Sequence, residues 1–347
     1  MRTWRVSSTR MPFPKESRRF RLLVIAGTAA LLLVLAAVSL CSGSASIPLD
    51  EVIRALFGGD RTEKFYQIVQ FVRLPRTLAA ILAGGALAVA GAILQAVLGN
   101  ALASPNIIGV NAGAGLFTIL LAAFFPQFIW FTPLAAFLGA LAAALLVYLL
   151  AQKTGASRMT ILLSGIAVSS FLGAVTDGVI TLVPDTQAGR FAFLIGGFSG
   201  VSMDSLKLAS LCILIGIGAA LLFSYDLNVL TLGEETASTL GMRAGLTRMV
   251  FLILAALLAG SAISFAGLLG FVGLIVPHAA RFFVGQDHRY LLPLCALLGG
   301  AFTLLCDLLA RVLFAPFELP VGIVLSFLGA PFFLYLLFKQ KRGRLHD

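Results

Sequence analysis

Residues 77–152 contain no Lys, Arg, Asp, Glu or His, a run of 76 residues. A bilayer-crossing helix needs about 20 predominantly apolar residues, so this run has room for three crossings and their connectors. Breaks are expected where Pro and Asn interrupt helices, at 100–106 and between Pro126 and Pro133. Further charge-free runs cover 159–176, 208–225, 249–277, 290–306 and 319–338. The 249–277 run is too long for one helix and is expected to split at Ala266-Gly-Leu-Leu-Gly270.

The whole composition agrees. Of 347 residues 59% are hydrophobic and 12% charged, with a mean hydropathy of +1.01. Soluble domains carry about 25% charge, and half of that is too little to cover a soluble body of this size. A soluble enzyme and a disordered chain are both excluded. The 35 glycines sit among Leu, Ala, Val and Phe, as in membrane helices. The net charge of +10 does not signal nucleic acid, because seven of the 25 Lys and Arg lie in the first 21 residues and Lys339, Lys341, Arg342 and Arg344 close the chain. Basic flanks of apolar spans mark cytoplasmic ends next to membrane lipid. Cys212, Cys295 and Cys306 lie inside apolar runs, where a free Cys is a small hydrophobe. No metal-ligand spacing is present.

Ten spans are predicted: 21–41, 76–98, 107–125, 130–151, 159–182, 205–224, 246–266, 271–284, 290–313 and 321–338. The first follows a basic run as a signal peptide would, but its 19 apolar residues exceed the usual stretch of about 7–15, so it reads as a retained span. The domain plan is a basic cytoplasmic tail over 1–20, a transmembrane domain over 21–338 and a second basic tail over 339–347. An even number of spans places both termini on one side. Segments assigned inside hold 17 Lys and Arg and those outside hold 8, which puts the termini in the cytoplasm. Spans two and seven share a small-residue texture and cross in opposite directions. That fits an inverted internal repeat, and it fits equally a stripe for close helix packing.

No catalytic constellation is found. His278-Ala-Ala-Arg281 lacks the zinc-protease pattern, no nucleophile elbow occurs, and Lys153-Thr154 follows Gln152 rather than the glycine of a phosphate loop. The connector 226–248 is the most polar internal stretch. Within it, Thr231 is expected to cap a short helix bearing Glu234 and Glu235 in its first turn, ended by Gly241. A solvated loop helix and a docking element for a cytoplasmic partner both fit. Asp307 and Arg311 stand i, i+4 on the ninth span and can form an intramembrane ion pair. Asp177 falls late in the fifth span, where it can line a polar cavity or, as the favoured reading, lie near the outer interface. Arg73 and Arg76 flank Leu74-Pro75 at the outer start of the second span, either as interfacial anchors or as outward guanidiniums for an external carboxylate.

Several motifs in order resemble one family. Arg73-Leu-Pro-Arg-Thr-Leu78, the glycine-rich stretch 84–95 and the break at 98–110 are similar to the membrane subunit of FecCD-type ABC importers. The likeness continues through 233–242, 270–281, Asp287-His-Arg289, Asp307-Leu-Leu-Ala-Arg311, Glu318-Leu-Pro-Val-Gly322 and 329–332. One departure is Asn100-Ala101, where the family has Asn-Pro. The resemblance implies an all-α membrane protein of about ten helices with the type II ABC importer permease fold. It implies a homodimer or a heterodimer with a paralogous permease, two cytoplasmic ATPase subunits that bind the ATP, and an extracytoplasmic substrate-binding protein or lipoprotein. The chain itself would need no cofactor and would do no covalent chemistry. Gly233, Glu234, Glu235, Thr236, Ala237, Leu240, Gly241 and Met242 would couple to the ATPase, and Arg73, Arg76 and Arg311 would dock the binding protein. The expected cargo is a ferric siderophore, with haem or cobalamin as alternatives, in the plasma membrane of a bacterium. The rival class is an ion-coupled secondary transporter using Asp177 or Asp307.

Overall fold

The computed structural model describes residues 17–43, 47–58, 62–106, 109–153, 158–183, 193–313 and 317–344, and among them no strand occurs. The basic run up to residue 16 and the last three residues lie outside the described residues. The helices are α1 (Arg18–Cys41), α2 (Leu49–Phe57), α3 (Lys64–Ile68), α4 (Leu74–Val97), α5 (Val110–Phe124), α6 (Thr132–Lys153) and α7 (Arg158–Leu182). After these come α8 (Met203–Leu222), α9 (Ser224–Leu230), α10 (Glu234–Thr239), α11 (Ala244–Ala266), α12 (Val272–Val284), α13 (His288–Val312) and α14 (Val321–Arg344). Seven helical stretches among the described residues are long and apolar enough to cross a bilayer, and three shorter apolar helices, α5, α12 and the first part of α14, complete the set. Each of the ten begins within a few residues of a predicted span when the second is counted from Leu74, the first residue of α4.

Burial sorts these helices into a centre and a rim. In the Lys64–Val97 stretch that contains α4, 83% of the most apolar window is buried, against 6% for α1. The apolar side chains of α1, such as Leu23, Leu33 and Val34, face outward. In a bilayer that is the favoured surface, since lipid tails are as apolar as Leu. α4 is central because its small residues let backbones approach. A Cβ on Gly91 would collide with the carbonyl oxygen of Gly273 in α12, and one on Gly84 with that of Gly299 in α13. In α11, Gly260 likewise faces the backbone of Ala136 and Phe137 in α6. The small residues of spans two and seven thus serve close packing.

The 249–277 run splits where the sequence places the break. α11 ends at Ala266, Gly267 takes φ 66°, and Phe271 is the only described non-glycine residue with positive φ, also 66°. The freed backbone groups are tied to a second irregular segment: Leu268 N–H donates to Phe193 O at 2.8 Å and Gly197 N–H to Ala266 O at 2.8 Å. Non-helical backbone at membrane depth persists only with such internal partners.

Candidate functional site: two polar ends of the bundle

At the N-terminal end of α4 the local sequence forces an irregular turn. Pro75 has no N–H, so it cannot continue the helical ladder backwards. The preceding residues widen into a π-turn over Val69–Arg73, in which Leu74 N–H donates to Val69 O. Arg73 is thereby turned toward the end of α1, where its Nη1 donates to Leu40 O at 2.7 Å and Cys41 O at 2.8 Å. Those are last-turn carbonyls of a helix, left without intrahelical donors and favourable to cations.

Arg76, one turn further on, reaches across the bundle. Its Nε donates to Asp307 at 3.1 and 3.2 Å, its Nη2 to Asp307 Oδ1 at 3.0 Å, and its Nη1 to Glu318 Oε2 at 2.6 Å. On the other side of Asp307, Arg311 Nε stands 3.1 Å from Oδ2. Arg311 Nη2 donates to Ser39 Oγ at 2.7 Å and its Nη1 to Ser42 O at 3.2 Å. Ser39 Oγ in turn lies 2.8 Å from Thr77 Oγ1. Asp307 is fully buried, while Arg73, Arg76 and Arg311 are 4–7% exposed. The sequence left interfacial anchors and outward guanidiniums open, and the structure gives a third arrangement. All three do gather at one end, but they point inward, because a charge in a low-dielectric interior must be paired and hydrogen-bonded. Among these described partners, Glu318, with a side chain 38% exposed, faces the opening. Arg76 and Glu318 border a cavity of about 420 Å³, lined also by residues 195–199, the last turn of α11 and Gly267.

At the other end of α4, Gln95 Oε1 accepts from Arg281 Nη1 of α12. Nearby, Asn228 of α9 joins the α12–α13 turn: its Nδ2 donates to Asp287 Oδ1 at 2.8 Å and its Oδ1 accepts from His288 N at 2.9 Å. Asp287 caps α13, accepting from Arg289 N and from the Arg289 guanidinium at 2.8 Å. That guanidinium, with the Asn228 amide, holds the Asp287 carboxyl down at about 2 despite partial burial.

The connector helix α10 lies beside this end. Its N-cap is Gly233 with φ 108°, so the expected Thr231 cap is not formed; Thr231 Oγ1 instead donates back to Asn228 O at 2.6 Å. Its C-terminus closes with two bonds, Gly241 N–H to Ser238 O and Met242 N–H to Ala237 O, both 3.0 Å, with Gly241 at φ 84°. This is the left-handed glycine stop that satisfies last-turn carbonyls. Arg248 Nη1 of α11 donates to Glu234 Oε2 at 3.2 Å and fastens the two helices. Glu235, Leu240 and Gly241 are exposed. Asp177 is exposed near the end of α7, beside a cavity of about 240 Å³ that also reaches buried Asn111.

Sequence reasoning missed the Arg76–Asp307–Glu318 bonding. Arg76 and Asp307 are 231 residues apart. The signal available was that the span assignment puts Arg76, Asp307 and Glu318 at the same outer ends.

A bundle of about ten apolar helices, with short polar helices at one end and a buried ion cluster at the other, is a multi-pass membrane permease. Residues 31–339 match the FecCD transport family, and the chain belongs to it. The ferric enterobactin transport system permease protein FepD of Escherichia coli is 39% identical over 326 residues, 93% of this chain and 97% of that protein. The Fe(3+)-citrate import system permease protein YfmD of Bacillus subtilis is 38% identical over 306 residues, 88% of this chain and 90% of that one. Among solved structures, a metal-chelate type ABC transporter in an inward-facing conformation superposes with TM-score 0.79 at 29% identity, covering 92% of this chain and 99% of that chain. The family is one of ABC importer permeases, transporter subunits rather than enzymes.

Proposed function

We propose that this chain is the membrane-spanning subunit of a binding-protein-dependent importer for ferric siderophores, dimeric in a bacterial plasma membrane and driven by two separate cytoplasmic ATPase subunits. The family match over residues 31–339 is the observation that carries the reading, and the relatives named for iron chelates favour that cargo over haem or cobalamin. The distribution of Lys and Arg supports cytoplasmic termini, which sets the α10 end inside and the Arg76 end outside.

In this reading α10 is the coupling element. Gly233, Glu234, Glu235, Thr236, Ala237, Leu240, Gly241 and Met242 form a rigid knuckle, and the Glu234–Arg248 bond passes its displacement to α11. α11 runs the depth of the bundle to the Gly267 break, beside the cavity below Arg76. A push on α10 therefore reaches the outer opening through one continuous helix. At that opening the Arg73, Arg76 and Arg311 cluster supports docking of the binding protein, with Arg76 the member that borders the cavity. Because Arg76 already holds Glu318, an incoming carboxylate takes the place of Glu318 rather than meeting an idle cation. The buried Arg76–Asp307–Arg311 contact also favours this class over an ion-coupled transporter, since Asp307 has two guanidiniums where a coupling site needs an exchangeable proton or cation.

Uptake in proteoliposomes containing the chain, its ATPase and its binding protein tests the reading. Radiolabelled ferric hydroxamate, catecholate and citrate chelates would be compared with haem and cobalamin. ATP-dependent uptake of an iron chelate is expected. Uptake that follows an ion gradient without ATP would overturn the class, and preference for haem or cobalamin would overturn the cargo.

A further inference from the structure

A cavity of about 740 Å³ opens between the C-terminal end of α4, the 230–233 link, Arg248 of α11, α12 and the start of α13. Its described lining contains Arg248, His278, Arg281 and His288, and no carboxylate. Eight buried side-chain polar atoms in the described residues have no hydrogen-bond partner, and three belong to this lining: Arg248 Nε, His278 Nδ1 and His288 Nε2. Orphaned buried polar atoms are costly, at about 1–3 kcal/mol each, so three at one cavity point to a ligand.

His288 is the most informative. It is 2% exposed, and its ring is fixed by Asn228. The Asn228 amide nitrogen donates to Asp287, so its Oδ1 must be the acceptor for both His288 N–H and Nδ1, the latter at 2.7 Å. Nδ1 therefore carries a hydrogen and Nε2 is left for the cavity. In that tautomer Nε2 is a lone-pair acceptor, suited to a hydroxyl of the ligand while the guanidiniums meet its anionic oxygens. Arg281 gives one N–H to Gln95, and its other donors are unused among the described residues. Arg248 similarly gives Nη1 to Glu234. The rim has a different character. Phe282, in the lining and 52% exposed, packs edge-on at 5.5 Å against Phe283, 42% exposed. Cations at the floor and exposed aromatics at the edge are the arrangement of a basic pocket between membrane helices that holds a lipid headgroup.

We propose that this cavity binds a phosphate-class anion, supplied by an anionic phospholipid headgroup or by free inorganic phosphate. A phosphate presents several acceptor oxygens, which matches a site with the unused donors of two guanidiniums better than a two-oxygen carboxylate does, and the hydroxyl of a phosphate or of a glycerol headgroup can meet His288 Nε2. The cavity is large enough to admit a headgroup, and the Phe282 edge would lie along its apolar portion.

The test uses the full chain in nanodiscs. One arm compares retention of phosphatidylglycerol with phosphatidylcholine by native mass spectrometry. The other titrates inorganic phosphate into phosphatidylcholine nanodiscs by calorimetry. Preferential retention of phosphatidylglycerol identifies the lipid source, and saturable phosphate binding identifies the free one. In either arm Arg281→Gln should weaken binding at least tenfold, while Arg243→Gln, an equal charge loss on the exposed surface at the same end, should leave it unchanged. If Arg281→Gln does not fold, Arg248→Gln takes its place. No preference and no phosphate binding, or equal loss in Arg243→Gln, overturns the proposal.

Discussion

The two ends of α4 hold similar side chains and treat them oppositely. At the N-terminal end, guanidiniums meet carboxylates and helix-end carbonyls; even Arg311 Nε, which makes no well-angled hydrogen bond, stands 3.1 Å from Asp307 Oδ2. At the C-terminal end, the guanidiniums and imidazoles around Gln95 leave three buried nitrogens without partners. The first arrangement is internally complete and joins α1, α4 and α13 into one unit. The second is complete only when something is added. Stability is thus concentrated at the first end and ligand dependence at the second.

The sharpest way to break that comparison is to remove the carboxylate from the complete end. Asp307→Leu leaves two buried cations facing each other, and loss of one partner of a buried pair costs about 3–5 kcal/mol. Thermal unfolding in detergent should show a large fall in Tm, or a chain that no longer accumulates. A Tm equal to that of the parent would mean the cluster is wetter than its burial implies.

The next effect belongs to the other end. Gly241→Pro fixes φ near −65° where the chain needs 84°, so the stop after α10 is lost. Uptake should drop at least tenfold while insertion and binding-protein affinity persist. Normal ATP-driven uptake in proteoliposomes would remove α10 from the coupling path. Glu235→Arg, which alters an exposed side chain without touching the backbone, should reproduce the defect.

A smaller effect is expected at Glu318. Its side chain is partly exposed, so Glu318→Gln should change Tm little, while replacing a charged partner of Arg76 Nη1 by a neutral one that an external acid can displace. Binding-protein affinity should rise a few-fold, more at low salt than at high, since exposed charges are screened within about 8–10 Å. Unchanged affinity across salt concentrations would argue that the docking acid does not approach Arg76.

The smallest concerns Asp287. A carboxyl held at about 2, below the unfolded value of about 3.9, adds stability above the unfolded value and loses it as pH falls through the folded one. Asp287→Asn should therefore lower Tm by roughly a degree or two at neutral pH, with the gap closing toward pH 2. A gap that persists in acid would assign the effect to packing instead of charge.

The spans were legible because bilayer thickness imposes a length and excludes charge, and both constraints are local in sequence. The split at Ala266–Gly270 was legible for the same reason, since one helix of that length would overshoot the membrane. The bonding of Arg76 was not. A guanidinium beside a proline reads as an interfacial anchor until the helix bearing Asp307 is placed next to it, and no local pattern specifies that neighbour. Thr231 failed differently: its hydroxyl found a nearer carbonyl in α9, and a glycine took the cap. The unpartnered nitrogens of His278 and His288 were invisible, because an absent partner leaves no mark in a sequence.

The π-turn before α4 also sets a compass bearing. Each residue advances a helix by about 100°, and the widened turn inserts one residue into that count just ahead of Pro75. Deleting any one residue within 69–72 would restore a regular helix but swing the segment upstream, α2 and α3 included, about a quarter-turn around the α4 axis. Arg73 would then aim away from the end of α1. The segment before Leu74 is therefore free to vary in composition on its outer face, yet its length is locked by the azimuth at which the chain must enter the bundle.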